Sequence, residues 1–175
     1  EPRWDRVLKG LAAPIVTDGR YLFAETAPDT YANPRWATDH PSVAAMFDEV
    51  SRVLGVPRLV VHNIDGRPRE VFRKSITEVE PAAVLATLIN STFSAFLVGQ
   101  QAANAMLSLD GRDGHKGTIL FTNASAALKG YPRSGAFAAA SHGKAGLAQS
   151  MARELMPQGI HVAHVVIDGA IDTAF

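Results

Sequence analysis

Along the chain the apolar positions change their period several times, and each change marks an element. Val43, Met46, Phe47, Val50 and Leu54 recur at three- and four-residue spacing opposite Asp48, Glu49 and Arg52, which predicts an amphipathic helix lying on one side of a sheet. Thr38 or Asp39 can cap it, Pro41 suits its first turn, and Gly55 stands just past its end. The pattern then turns to that of a short buried strand, Leu59 to Asn63 (LVVHN). A polar loop leads to the longest helical stretch, Pro81 to Leu107, which Thr77 and Glu80 precede at capping-box spacing. Val84, Leu85, Leu88, Phe93, Phe96, Leu97, Met106 and Leu107 occupy more than one of its faces, so it is expected to touch both the sheet and another helix.

The last third, Gly117 to Phe175, reads as strand, helix, strand: GTILFTNASAALKG, then FAAASHGKAGLAQSMAREL, then GIHVAHVVIDGAIDTAF. Its apolar runs are β-branched and bounded by Gly or Pro, as strands buried on both faces should be. Parallel α/β sheets bind ligands beyond the carboxyl ends of their strands, which directs attention to Asn123–Ser125 and Asp168–Thr173. Residues 1–35 are less regular: one strand is expected at Ala13 to Thr17, Asp18-Gly19 signals a turn, and Pro28, Asn33 and Pro34 oppose a long helix. The expected fold is α/β, a partial Rossmann-like doubly wound parallel sheet in three layers. It forms a single domain over 1–175, with an irregular or truncated part at 1–35 and the Rossmann-like part at 36–175.

Composition narrows the function. The apolar fraction of 47% and charged fraction of 19% are those of a globular protein. Lys plus Arg and Asp plus Glu balance at 17 each without a basic run, so no nucleic acid or anionic membrane is expected as partner. Cysteine is absent, which removes disulfides, thiolate nucleophiles and cysteine-ligated zinc. His161 and His164 fall on opposite faces of a strand, so a histidine metal site is not expected. Polar residues such as Asn90, Ser91, Gln100 and Asn104 interrupt the long helix, so no membrane span is expected, and a soluble cytoplasmic protein is the simplest reading.

The ordered set LVVHN, long helix, GTILFTNAS, a helix ending SMAREL, and GIHVAHVVIDGAIDT resembles the second half of the short-chain dehydrogenase/reductase family over Trp36 to Thr173. The resemblance implies an NAD(P)-linked oxidoreductase acting on a small-molecule alcohol or carbonyl. In the family a serine, a tyrosine and lysine four residues apart on a helix, and an asparagine of the long helix form the catalytic group. The phenol is the acid/base, and the lysine lowers its pKa and binds the cofactor ribose. Ser125 stands at the serine position. An ungapped alignment, the preferred one, puts Phe137 at the tyrosine position and Ser141 at the lysine position; a three-residue gap would instead give Ala140 and Lys144. Ser91, beside Asn90, falls at the asparagine position. Tyr131 and His142 are neighbours that could approach the pocket.

Cofactor contacts implied by the same resemblance are Asn63, Gly169, Ile171 and Thr173, with NAD or NADP as cofactor. The family's Gly-rich turn has no counterpart before Trp36, where Gly10 and Gly19 stand isolated. Expectation therefore settles on a short-chain dehydrogenase/reductase-like oxidoreductase with a degraded catalytic site. The alternative is a non-catalytic Rossmann-like binding or oligomerisation protein. The long helices around Phe93 and Met151 match those of the family's dimer interface, implying a homodimer or homotetramer.

Overall fold

The computed structural model describes residues 35–64, 67–111 and 113–168, together with the backbone of two strands at 14–17 and 21–25. Gly169, Ile171 and Thr173 lie outside the described residues.

Helix α1 (His40–Leu54) starts where the sequence says it should. Asp39 has extended backbone angles, and its carboxylate accepts from the Ser42 N–H at 3.0 Å and from the Ser42 hydroxyl. Gly55 ends the helix at φ +90°, a conformation that a side chain would resist. Val43, Met46, Phe47 and Val50 are its buried face.

The long stretch Pro81–Leu107 is helical throughout but not uniform. It comprises α2 (Pro81–Leu88), a π-turn at Ile89–Phe93, and α3 (Ser94–Leu107). The expected capping box does not form. Pro81 at the first helical position makes Glu80 the cap residue, without a side-chain cap bond, and Thr77 instead bonds to the Ser75 hydroxyl in the preceding turn. The stretch is long and apolar enough by composition to cross a membrane, yet here Ala95, Leu97, Val98, Ala102 and Met106 are in the core. Helix α4 (Gly135–Leu155) is the other long helix.

The strands form one five-stranded sheet in the order β1 (Pro14–Thr17), β2 (Tyr21–Glu25), β3 (Leu59–Asn63), β4 (Gly117–Asn123), β5 (Ile160–Val166). The β1–β2 pair is antiparallel, and β2 through β5 are parallel, with Val60 beside Ile119 and Ile119 beside Val162. Strand β2 was not expected from the sequence. Alternation decides which face is covered: Val60, His62, Ile119, Phe121, Ile160 and Val162 are buried, while Leu120 and Ala163 are only partly so. The apolar members of this set pack into one core with α1, α3 and α4. Since α1 packs on α3 and α3 on α4, these helices form one layer on one face of the sheet. Gly117 and Gly99 allow that layer to come close, because a Cβ there would meet Met106 or Met151 and Phe121.

Candidate active site

A cavity of about 210 Å³ opens beyond the carboxyl ends of β3, β4 and β5. Asn63 and Ile64 close it on the β3 side, Thr122, Asn123 and Ala124 on the β4 side, and Ile167 follows β5. Helix α4 contributes Phe137 and Lys144, which share a face because seven residues make two turns. The long helix contributes Ser91, and the loop after β3 contributes Arg67.

The π-turn explains how Ser91 reaches the site. One extra residue in the turn rotates the helix locally and frees carbonyls from their regular ladder. Ser94 takes them up, its hydroxyl bonding to the Asn90 carbonyl at 2.5 Å and facing the Ser91 carbonyl at 3.3 Å. That hydroxyl has spent its proton on the helix. It therefore accepts from His62 Nε2, 2.9 Å away, which places a proton on Nε2. His62 is fully buried beside Phe121, and its Nδ1 makes no hydrogen bond. Burial, and after it the positive charge of Lys144, holds the imidazole well below its ordinary pKa.

Lys144 is only 2% exposed. Its ammonium donates to the Ile64 carbonyl at 2.9 Å and lies 3.5 Å from the Thr122 carbonyl, so a cation is held between two strand ends. Arg67 lies over the Phe137 ring at 3.8 Å and over the Phe72 ring at 4.6 Å. Asn63 accepts at Oδ1 from the Thr122 hydroxyl, which leaves its amide N–H groups for other acceptors. Asn123 is occupied at both ends, donating to the Ser141 carbonyl and accepting from the Ala124 N–H.

Of the residues singled out in the sequence, Asn63, Ser91 and Phe137 come together at the cavity. Ser125 does not line it; it opens a short 3-10 turn (Ser125–Ala127), where its carbonyl accepts from Leu128 and Lys129. Ser141 does not line it either. Its hydroxyl is fully buried without a hydrogen bond, and Lys144, one turn further along α4, supplies the cavity's ammonium. The structure thus brings to the cavity the lysine of the gapped alignment and the aromatic of the ungapped one. Ala140, one turn before Lys144, is buried, with its carbonyl bonded to the Thr92 hydroxyl. Neither neighbouring candidate lines the cavity: Tyr131 is 40% exposed beneath Lys129, and the exposed His142 is bonded to the Ala138 carbonyl. Arg67 belongs to the loop IDGRPREVFRK, whose place after the strand LVVHN marks it in the sequence as able to hold a ligand, whereas Thr122, inside GTILFTN, had no local signal of its own. Among the described residues no cluster of potential metal ligands occurs.

A family model described as enoyl-(acyl carrier protein) reductase matches residues 25–175. The chain is also 32% identical over 137 residues to the 3-oxoacyl-[acyl-carrier-protein] reductase MabA of Mycobacterium avium, covering 78% of this chain and 49% of MabA. The chain belongs to the short-chain dehydrogenase/reductase family. A short-chain dehydrogenase structure from Rhodopseudomonas palustris aligns at 32% identity and TM-score 0.66, over 76% of this chain and 58% of that one. Two structures of ElxO, one with NADP bound and one of a Tyr-to-Phe variant with NADPH bound, share the fold at TM-score 0.68 with 18% and 19% identity. Each alignment covers 75% of this chain and 50% of ElxO. The present short-chain dehydrogenase/reductase chain spans about half the length of the curated relative it matches.

Proposed function

We propose that this chain carries the ligand site of an NAD(P)-linked oxidoreductase for small alcohols or carbonyls, with a degraded acid/base centre. The observation behind this reading is the cavity wall itself, where Lys144 and Ser91 meet an aromatic ring, Phe137, and no phenol is present among the described lining residues. A nicotinamide ring suits a cavity of about 210 Å³ at the carboxyl ends of parallel strands, flanked by the amide of Asn63 and the ammonium of Lys144. A cradle for the pyrophosphate is not among the described residues. When bound, the nicotinamide would supply or take the hydride. The chain's own part is to orient the ligand: Lys144 places a fixed positive charge beside it, Asn63 offers N–H donors, and Ile64 and Phe137 exclude water from one side. Phe137 cannot move a proton, so proton transfer is the missing function.

A non-catalytic binding or oligomerisation role is the second reading, favoured by that same Phe137. Titrating NADPH and NADH against the full-length protein separates the two. Expected is saturable binding that weakens about tenfold or more in Lys144→Ala, about 1.4 kcal/mol, with turnover far below that of an enzyme possessing the phenol. Absence of binding would leave only the second reading, and turnover that survives Ser125→Ala would exclude a catalytic role for Ser125. A second copy of the chain is the proposed partner, docked on the outer faces of α3 and α4 as in the family's dimers.

A further inference from the structure

A helix wound with one residue too many must place that residue somewhere. Helix α3 is pinned in the core by Ala95, Leu97, Val98, Ala102 and Met106, and upstream the buried Thr87 bonds to the Ala83 carbonyl. Between these anchors more than one position would accommodate the extra residue, and such turns are frequent at functional sites. Its place at Ile89–Phe93 is therefore set by particular side chains.

Ser94 is the first of them. In α-winding its N–H would bond to the Asn90 carbonyl, four residues back. Here the N–H reaches the Ile89 carbonyl, five back, while also facing that of Ser91, and the Ser94 hydroxyl takes the abandoned Asn90 carbonyl at 2.5 Å. The side chain makes the bond that the backbone gave up. His62 completes the arrangement from β3: its Nε2 lies 2.9 Å from the same hydroxyl, and a hydroxyl that donates to a carbonyl accepts the more strongly from a second donor. Both side chains are fully buried. On the side of α4 the Thr92 hydroxyl bonds to the Ala140 carbonyl at 2.8 Å. The turn is thus fastened to the sheet and to a helix, and Ser91 stands between the two fastenings in the cavity wall.

We propose that His62 and Ser94 are positioning residues of the ligand site: as a pair they hold the extra winding at Ile89–Phe93 and so keep Ser91 in the cavity wall. Neither lines the cavity itself. The assignment rests on the cavity being the ligand site described above and adds what places one of its walls. Without the pair the extra residue is free to slip along the helix, and a slip past position 91 turns its side chain by roughly 100°.

The sequence contains no cysteine, so Ser91→Cys supplies a single thiol, whose alkylation by iodoacetamide, followed by mass spectrometry on the full-length protein, reads the setting of that side chain. In this background Ser94→Ala and His62→Leu are each expected to change the rate about fivefold or more, in the same direction, and the double variant should go no further than either alone, as for two residues acting as a unit. His62→Gln, whose amide N–H stands at a reach like that of Nε2, should keep the rate within about twofold of the parent. Val50→Ala, a core truncation on α1, lowers stability without touching the pair and should also stay within about twofold. Circular dichroism checks that each variant is folded. A rate that Ser94→Ala or His62→Leu leaves unchanged, one that Val50→Ala moves as far as they do, or a His62→Gln variant that behaves as His62→Leu, would overturn the proposal. NADPH titrated against the wild type tests the cofactor reading separately: its failure beside the expected pattern of rates leaves the positioning pair standing.

Discussion

His62 shows how much one side chain depends on its surroundings. In sequence it is the fourth residue of an apolar run, LVVHN, and nothing marks it as different from a surface histidine. In the structure it is fully buried and neutral, and its pKa is pushed down by burial first and by Lys144 second. His164, partly buried on β5, is lowered for the same two reasons in the same order. Since the folded values lie below the unfolded ones, the unfolded chain binds protons first as the pH falls. The stability from keeping these rings neutral is whole above about pH 6.5 and is lost as the pH drops toward the folded values. Urea midpoints measured from about pH 7 to about pH 5 should therefore fall. His62→Asn, which cannot titrate, should flatten part of that slope, and an unchanged slope would contradict the assignment. Lys144 teaches a related lesson: sequence spacing located Phe137 and Ser141, but a lysine side chain is long enough to enter the cavity from a turn further on.

At the level of elements, regular periodicity was legible and its interruption was not. The cap at Asp39, strand β3 and both strands of the final βαβ unit stand where pattern and turn residues put them. Strand β2 escaped because Tyr21–Glu25 is short and lies among residues without a clear period. The π-turn escaped for a different reason: Ile89–Phe93 differs from its neighbours by one residue of winding, and a period fitted over the whole stretch averages that away. Its consequence is a tight seam with α4. A Cβ at Gly143 would lie 3.0 Å from the Thr92 methyl and 3.1 Å from its hydroxyl, which is itself bonded to the Ala140 carbonyl. At Gly146, one turn further along the same helix, a Cβ would meet nothing within 4 Å. Gly146→Ala is thus expected to stabilise by roughly 0.5–1 kcal/mol through helix propensity. Gly143→Ala should lose that gain against Thr92 and come out neutral or destabilising. Equal stabilisation of both variants in urea denaturation would rule out a tight seam.

On the scale of the molecule, one helical layer covers one face of the sheet, and its outer side is not uniformly polar. Phe93 and Phe96 are stacked at 6.4 Å and remain 44% and 41% exposed. Beside Phe96 a groove of about 490 Å³ runs between α3 and α4, with Leu107, Leu147 and Met151 in its walls. Covering such surface favours association at ~25 cal/mol per Å² of apolar area removed from water. The proposed second copy makes a definite expectation: the protein should elute as a dimer or tetramer, and Phe96→Glu should shift it toward monomer. A wild-type monomer across the accessible concentration range would count against that partner.

The fastening of Lys144 gives the cavity a property of its own. Its ammonium ties α4 to the ends of both β3 and β4 through the carbonyls of Ile64 and Thr122. One side chain thus fastens a helix to two neighbouring strand ends, and shortening it in Lys144→Ala is expected to lower the urea midpoint as well as remove a charge from the cavity wall.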